Sequence, residues 1–502
     1  MLAAAVAASA VLMTAAFPPL DWGAVAWFGL APLLAALCWA GRARRAFALG
    51  YLFGWLHWGS TVTWIGTTVV RWSGTDWGWL AWFLLTAIEA LWFGLFGLLA
   101  WFMTKRASLA GRPVLWAVAW ALVEWLRSQT AIAMPWSLIG YTQYRCLPVI
   151  QVADLVGVYG VGMVVVLGNG AVATWGMLLA KHLRGRNEGP LGRAAAEVSA
   201  LPIAAVVASL LYGFASPAAA PRGVSVRLGL MQPNISSERG ATLPPEEQLA
   251  RMASLAMRVK QDHPDLIVWP ETIAPGDVEH DAWVRSSIAD IGRRLGCWQL
   301  VGSSVTDVAG GEHNSAVLFD PRGAVVARYD KHWLVPMGEW VPLRGWLPFG
   351  DVFHFPEQDV VPGHGDAPLK AGPARLAVLI CYESVFPVLA RTRVEQGANL
   401  LVNMTNDSWA GRSKELAQHF AMTVFRAVET RRCAIAVATT GLTGVIEPSG
   451  RFRTLRPYRP GTMIVEAALG SGTTPYVHQG DRLVAVCGVI GAWWLWVCRR
   501  KR

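Results

Sequence analysis

Three polar residues, each at or just beyond the end of an apolar run, are of the types that a base-activated thiol site requires. Cys381 closes the run 376–380, Glu271 follows 266–270, and Lys331 follows a run ending at Tyr329. A thiol becomes a nucleophile when a base removes its proton, and a fixed cation then holds the oxyanion that forms. Glutamate, lysine and cysteine are the parts of such a site. A lone buried cysteine is more often a small core residue. The carboxylate and the ammonium in equivalent chain positions reverse that expectation here.

The elements that must position these residues read as follows. Strands are expected over 224–232, 266–270, 299–304, 315–320, 324–329 and 376–380, with more over 399–404, 433–438 and 443–448. These runs are short, apolar and rich in β-branched residues. Helices are expected over 246–261, 282–295, 384–396 and 415–431. Alternating strands and helices imply a layered α/β domain, whose sites collect in loops after strand carboxyl ends. A helix opening just after Cys381 would favour a thiolate there through its dipole and free N–H groups.

Composition divides the chain. It has 502 residues, 54% of them hydrophobic and only 16% charged, with 27 tryptophans. Apolar runs of bilayer length crowd residues 1–216, and another covers 483–498, whereas 217–480 has ordinary globular composition. The formal charge of +10 divides the same way, because 217–480 holds 26 basic and 26 acidic residues. The basic excess therefore belongs to the apolar segments and points to membrane orientation, not to nucleic acid. Seven cysteines without CxxC spacing imply neither a disulfide framework nor a zinc site.

Seven spans are expected before the polar domain, over about 2–17, 22–40, 46–70, 77–103, 113–128, 152–180 and 199–216, and one after it. Basic clusters at Arg42–Arg45, Lys105–Arg112, Lys181–Arg193 and Arg499–Arg502 fall on one side if seven spans come first. By the positive-inside rule that side is cytoplasmic, so both termini are inside and 217–480 faces outward. Glu89, Glu124 and Asp154 are carboxylates in or near spans, which are functional candidates by default. Glu124 and Arg127 share a helical face, so a structural ion pair is an equal expectation.

These residues carry a resemblance. Glu271 in WPE, Lys331 in YDK and Cys381 in CYE resemble the Glu-Lys-Cys site of the nitrilase, or carbon–nitrogen hydrolase, superfamily. HWLVPMGEWVP at 332–342, CYES at 381–384, NDSWAG at 406–411, GLTGVIEPSG at 441–450 and EWLR at 124–127 extend it over essentially the whole chain. Together with the spans, they are similar to the membrane-embedded apolipoprotein N-acyltransferases of bacteria. Two departures are Ala410, where the family has Phe, and Ser236 to Gly240, where it has an aromatic residue.

The resemblance implies a membrane α-helical bundle of about eight transmembrane helices plus an α-β-β-α sandwich. The domains are then 1–216 in the membrane, 217–480 catalytic and periplasmic, and 481–502 a last span with a basic tail. It implies a Cys381 thioester, Glu271 as general base, and Lys331 with the Tyr382 N–H as oxyanion holder. Glu339 and Glu383 take supporting roles; Asn406, Trp409 and His419 are pocket or packing residues. The implied donor is a phospholipid, phosphatidylethanolamine the expected type. The acceptor is the α-amine of a diacylglyceryl apolipoprotein, in the bacterial inner membrane. No metal or organic cofactor is implied. A membrane-tethered amidase and a non-catalytic membrane scaffold are the competing readings.

Overall fold

The computed structural model describes residues 1–130, 132–185, 191–216, 223–235, 243–342, 344, 358–365 and 367–500. Residues 236–240, Arg186, the expected boundary at 217 and the last two residues of the basic tail lie outside them. Contacts divide the chain into two units. One comprises Met1–Gly66, Trp79–Pro217 and Gln479–Arg502, the other Thr67–Gly78 and Ala218–His478.

The first unit is helical. Among the described residues three helices are long and apolar enough to cross a membrane: Gly78–Thr104, Ala153–Leu183 and Leu191–Ala215. Shorter apolar helices cover Leu2–Ala15, Gly23–Cys38 and Arg482–Cys498. Of the eight expected spans, these three are the ones that reach bilayer length as single apolar helices among the described residues. Leu2–Ala15 has 14 residues, which at 1.5 Å per residue reach about 21 Å of a roughly 30 Å hydrocarbon layer. The expected span 22–40 is a 3₁₀ turn, Gly23–Trp27, followed by the helix Ala31–Cys38. That over 46–70 is broken between Ala43–Thr61 and Thr63–Ser73.

The buried charges of this unit hold it together. Arg127 lies 3.6 Å from Glu89 and donates to the Trp136 carbonyl, and Glu124 accepts from the Ile139 amide at 2.7 Å. Asp154 accepts from the Tyr212 hydroxyl at 2.9 Å. Glu89 and Arg127 offset each other's buried charge, while Glu124 and Asp154 each accept from a donor that burial would otherwise leave unpaired.

The second unit contains two six-stranded sheets. One runs in the order β12-β1-β2-β3-β4-β5 and the other β11-β10-β9-β8-β7-β6. The strands are β1 Ser225–Gln232, β2 Leu266–Val268, β3 Trp298–Thr306, β4 Glu312–Phe319, β5 Val325–Asp330, β6 Leu369–Ala371, β7 Ala374–Ile380, β8 Leu400–Thr405, β9 Ala434–Ala438, β10 Gly444–Ile446, β11 Phe452–Thr454 and β12 Gly461–Ala468. The central pairs β1–β2, β2–β3, β7–β8 and β8–β9 are parallel. Such strands are covered on both faces, which is why β7, β8 and β9 read as almost unbroken apolar runs.

Leu228, Val268, Leu300 and Leu318 of the first sheet pack with Leu376, Val378, Leu400 and Val402 of the second in one core. On the outer face of the first sheet, Met252, Leu255, Val284 and Ile288 of helices Pro245–Arg258 and Ala282–Leu295 cover Ile267, Val301 and Val317. Helices Pro387–Glu395 and Glu415–Thr430 pack on β7 and β9 of the second sheet. The layers are thus helix, sheet, sheet, helix, the nitrilase-like arrangement.

Local chemistry sets the ends of these elements. The Asp281 carboxylate accepts from Trp283 and Val284 N–H groups at the start of Ala282–Leu295, and Gly296 closes the helix at φ 68°. The expected helix 384–396 starts later than its sequence pattern indicated. Cys381–Val385 is a 3₁₀ turn, and the α-helix begins at Pro387, whose fixed φ and missing N–H suit a first turn. Three strands had no clear sequence signal. β6 and β11 have only three residues each. β12 is defined by its antiparallel pairing with β1 from Ser225↔Ala468 to Gln232↔Gly461.

Leu228 is fully buried between the two sheets. Leu228→Ala should destabilise this unit by about 2–5 kcal/mol through lost transfer energy and a residual cavity. Thermal unfolding of the purified full chain in detergent should show it as a lower transition temperature.

Candidate active site

The ends of β2, β5, β7 and β8 bring their following residues into one buried cluster. Glu271 comes three residues past Val268, the last residue of β2, and its backbone runs hard against β3. A Cβ on Gly302 would stand 2.3 Å from the Pro270 oxygen and 2.7 Å from Glu271 Cα. Only glycine allows that approach.

Lys331 directly follows β5. Its amide donates to the Asn314 carbonyl of β4 at 2.8 Å, continuing the strand pairing to the site. The side chain is 1% exposed; Nζ donates to Glu339 Oε1 at 2.8 Å and to Glu271 Oε1 at 3.3 Å. Glu339 is fixed in turn by the Val335 amide, which donates to Oε2 at 2.7 Å. Glu271 Oε2 accepts from the Asn406 amide at 2.7 Å, just beyond β8.

Asn314 completes this cluster. Its Nδ2 donates to Glu271 Oε1 at 2.7 Å and to Glu339 Oε1 at 2.9 Å. Two carboxylates therefore share one ammonium and one amide. Sequence reading missed Asn314, since a polar residue near a strand start looks like a solvated one. Its only sequence signal is the polar HNS preceding the apolar end of β4.

Cys381 closes β7 with φ 53°, in the left-handed region that side-chain-bearing residues avoid. Such a conformation costs on the order of 1–3 kcal/mol and persists only where surroundings enforce it. Glu383 is among the groups that do so. Its Oε2 accepts from the Ile380 amide at 2.8 Å. Its Oε1 accepts from the Tyr329 hydroxyl at 2.6 Å and from the His332 and Trp333 amides at 2.8 and 3.2 Å. One buried carboxylate thus ties the cysteine turn to the segment carrying Lys331. Arg393 stacks over the Tyr329 ring at 4.4 Å and lies 3.9 Å from Glu383, balancing its charge.

Electrostatics follow from this packing. Burial pushes the Cys381 thiol well above its ordinary value, the Glu271 charge adds to the rise, and Lys331 opposes it. Burial by itself works against the Lys331 charge, but Glu339 and Glu271 outweigh it and hold the ammonium above its usual range. The resting site is therefore a neutral thiol beside a firmly charged lysine. A base-assisted attack suits that state better than a standing thiolate.

The remaining expected residues occupy different surroundings. Tyr382 sets its ring edge-on against Phe386, with centroids 5.0 Å apart. Asn406 is both the amide donor to Glu271 and a cap whose side chain accepts from Ser408 at 2.7 Å. Trp409 is half-buried, and its carbonyl accepts from Arg71 at 3.4 Å. His419 approaches the cysteine turn from behind, with Nε2 3.0 Å from the Cys381 carbonyl. Among the described residues, ligand atoms of Asp407, Glu415 and His419 all lie within 4.8 Å of one another, a donor set with the spacing to hold a cation.

Comparison with known proteins agrees with this architecture. Residues 9–171 match the family model for the apolipoprotein N-acyltransferase N-terminal domain, and 227–473 match that for carbon-nitrogen hydrolases. The apolipoprotein N-acyltransferase of Geobacter metallireducens is 34% identical over 507 residues, covering 96% of this chain and 92% of that protein. The apolipoprotein N-acyltransferase of Methylococcus capsulatus is 32% identical, covering 98% of this chain and 95% of that protein. That of Nitrosomonas europaea is 31% identical, with coverages of 91% and 90%.

Three outcomes test the cluster. Removing Glu271's negative charge in Glu271→Gln should move the pH profile of Cys381 alkylation by iodoacetamide to lower pH. Removing the cation in Lys331→Met should move it to higher pH, because the thiolate loses its counter-charge. Asn314→Leu should lower turnover by roughly 100-fold through misplacement of Glu271, with the folded protein recovered in normal yield.

Proposed function

The chain belongs to the apolipoprotein N-acyltransferase family and is an acyltransferase, and on that premise we propose the following reaction for its cluster. Glu271 takes the Cys381 proton as the sulfur attacks an ester carbonyl of a phospholipid, at the sn-1 position. Lys331 and the Tyr382 N–H hold the oxyanion. The carbon–oxygen bond of the ester breaks, the lysophospholipid oxygen leaves with the proton from Glu271, and a Cys381 thioester remains. The α-amine of an S-diacylglyceryl-cysteine then attacks the thioester. Its proton passes to Glu271, the carbon–sulfur bond breaks, and an amide is released while the thiol is restored.

The observation that carries this reading is the buried ammonium of Lys331 between Glu271 and Glu339, 3.3 and 2.8 Å away. A structural lysine would gain little from such burial, whereas a fixed cation beside a nucleophile lowers the barrier to forming an oxyanion. A thioester also suits transfer to an amine, since amines attack thioesters readily. The apolar helices support a lipid donor, because a soluble amidase has no use for a membrane-embedded half. Phosphatidylethanolamine is the donor type and a diacylglyceryl apolipoprotein the acceptor. The catalytic unit, about 217–480, faces the periplasmic side of the bacterial inner membrane. The helical segments before and after it form a bundle of about eight spans, with both termini cytoplasmic.

Intact-mass analysis after incubation with phosphatidylethanolamine vesicles tests the first half-reaction. One acyl mass should be added, labile to hydroxylamine, mapped to Cys381 and absent from Cys381→Ala. The adduct should persist in buffer and discharge onto a diacylglyceryl lipopeptide. Rapid release of free fatty acid without any amide product would instead assign the chain to membrane-tethered amidases.

A further inference from the structure

His419 has no part in the proton transfers above, yet it is buried against the nucleophile's own backbone. It is 3% exposed, and its Nε2 lies 3.0 Å from the Cys381 carbonyl oxygen and 2.8 Å from Ser384 Oγ. Ser384 Oγ itself donates to the same carbonyl at 3.1 Å. A carbonyl can only accept, so Nε2 carries a hydrogen. The other ring nitrogen faces Asp407 Oδ1 at 3.5 Å and Glu415 Oε1 at 3.6 Å. A bare lone pair directed at the Asp407 carboxylate would be repelled, so Nδ1 carries a hydrogen as well.

The surroundings are built for that charge. Glu415 is fully buried, and neither of its carboxylate oxygens has a hydrogen-bond partner among the described residues. Among the described residues the His419 ring pairs with it at 3.6 Å. Asp407 is fixed by the Thr405 hydroxyl at the end of β8. Burial opposes the imidazolium, but the Asp407 hydrogen bond and charge, the Glu415 charge and the Cys381 carbonyl raise it to about 9. Burial and the nearby Asp407 charge push the Glu415 carboxyl well above its ordinary value, and the His419 charge opposes that rise. The cysteine, two residues before Glu383, is thus gripped from two sides. Glu383 holds the Ile380 amide in front of the turn, and His419 holds the Cys381 carbonyl behind it.

We propose that His419 is a positioning residue for the thiol: anchored by Asp407 and Glu415, it clamps the Cys381 carbonyl and keeps the nucleophile in its left-handed turn. It transfers no proton to or from the sulfur and touches no substrate. The inference rests on the acyl-transfer reading for its substrate, but the clamp itself is measurable without lipid.

The test uses the full-length protein in detergent, with His419→Leu, His419→Gln and wild type compared. Leucine removes the donor while filling the space; glutamine can return an N–H near the position of Nε2. His419→Leu should slow both iodoacetamide alkylation of Cys381 and single-turnover acylation from phosphatidylethanolamine by about 100-fold. KM for the lipid should stay within about twofold of wild type. His419→Gln should recover at least tenfold of each loss. Rates within about twofold of wild type in His419→Leu would overturn the proposal. So would equal losses in both variants accompanied by a lower unfolding temperature, which would make His419 a fold residue only. Should His419→Leu not fold, His419→Gln decides alone: near-wild-type alkylation supports the clamp, and a loss beyond about 100-fold overturns it. One equivalent of tightly held divalent metal in the purified protein, with alkylation altered by a chelator, would overturn it in favour of a cation site. If wild type alkylates normally but takes no acyl group from any phospholipid, the donor assignment fails while the clamp is still read from alkylation.

Discussion

The two-sheet unit depends on a carboxylate that never meets solvent. Glu383 is fully buried, and its two oxygens collect four donors from two strand ends. Those donors are the amide before Cys381, the tyrosine before Lys331, and the two amides after it. A charged acceptor pays for its burial only when hydrogen bonds replace the lost water. Here that replacement also fixes the distance between the cysteine turn and the lysine loop, which come from different sheets. Stability and site geometry are therefore the same interaction.

The charge arithmetic of the cluster follows the same logic. Lys331, Glu271 and Glu339 carry one positive and two potential negative charges in a volume nearly closed to water. Asn314 makes this tolerable by giving its amide hydrogens to both carboxylates. Behind the cysteine, the His419, Asp407 and Glu415 set repeats the pattern with one cation against two acids. In both clusters the buried charges stand near Cys381, and in both a low-dielectric setting makes a fixed dipole or charge worth more than in water.

The sandwich supplies rigidity for this arrangement. Parallel central strands end at one edge of each sheet, and the loops beyond them converge because the two sheets pack face to face through Leu228, Val268, Val378 and Val402. Gly302 lets the Glu271 turn ride directly on β3. The strained φ of Cys381 is held by bonds to its neighbours on both sides, and the sulfur follows from the backbone.

Much of this was legible in the chain itself. Apolar runs of period and length suited to buried strands located β2, β5, β7 and β8, and the polar residue following each run marked where chemistry could sit. The neutral middle and basic flanks separated a globular unit from apolar helices, because charge and hydropathy are local properties of sequence. Helix Ala282–Leu295 was visible to the residue, since its Asp cap and closing glycine act within one turn. The tertiary structure alone decided the rest. Short β6 and β11 exist by pairing, not propensity. The breaks near 28–30 and 62 in the first unit's helices, and the delay of a helix from 384 to Pro387, depend on packing that composition does not encode. Asn314 and Glu415 carry no motif that distinguishes them from solvated polar residues, and NDSWAG, which contains Asp407, assigns that residue no role. Only folding removes the water around them, and a polar group's importance here comes from that removal.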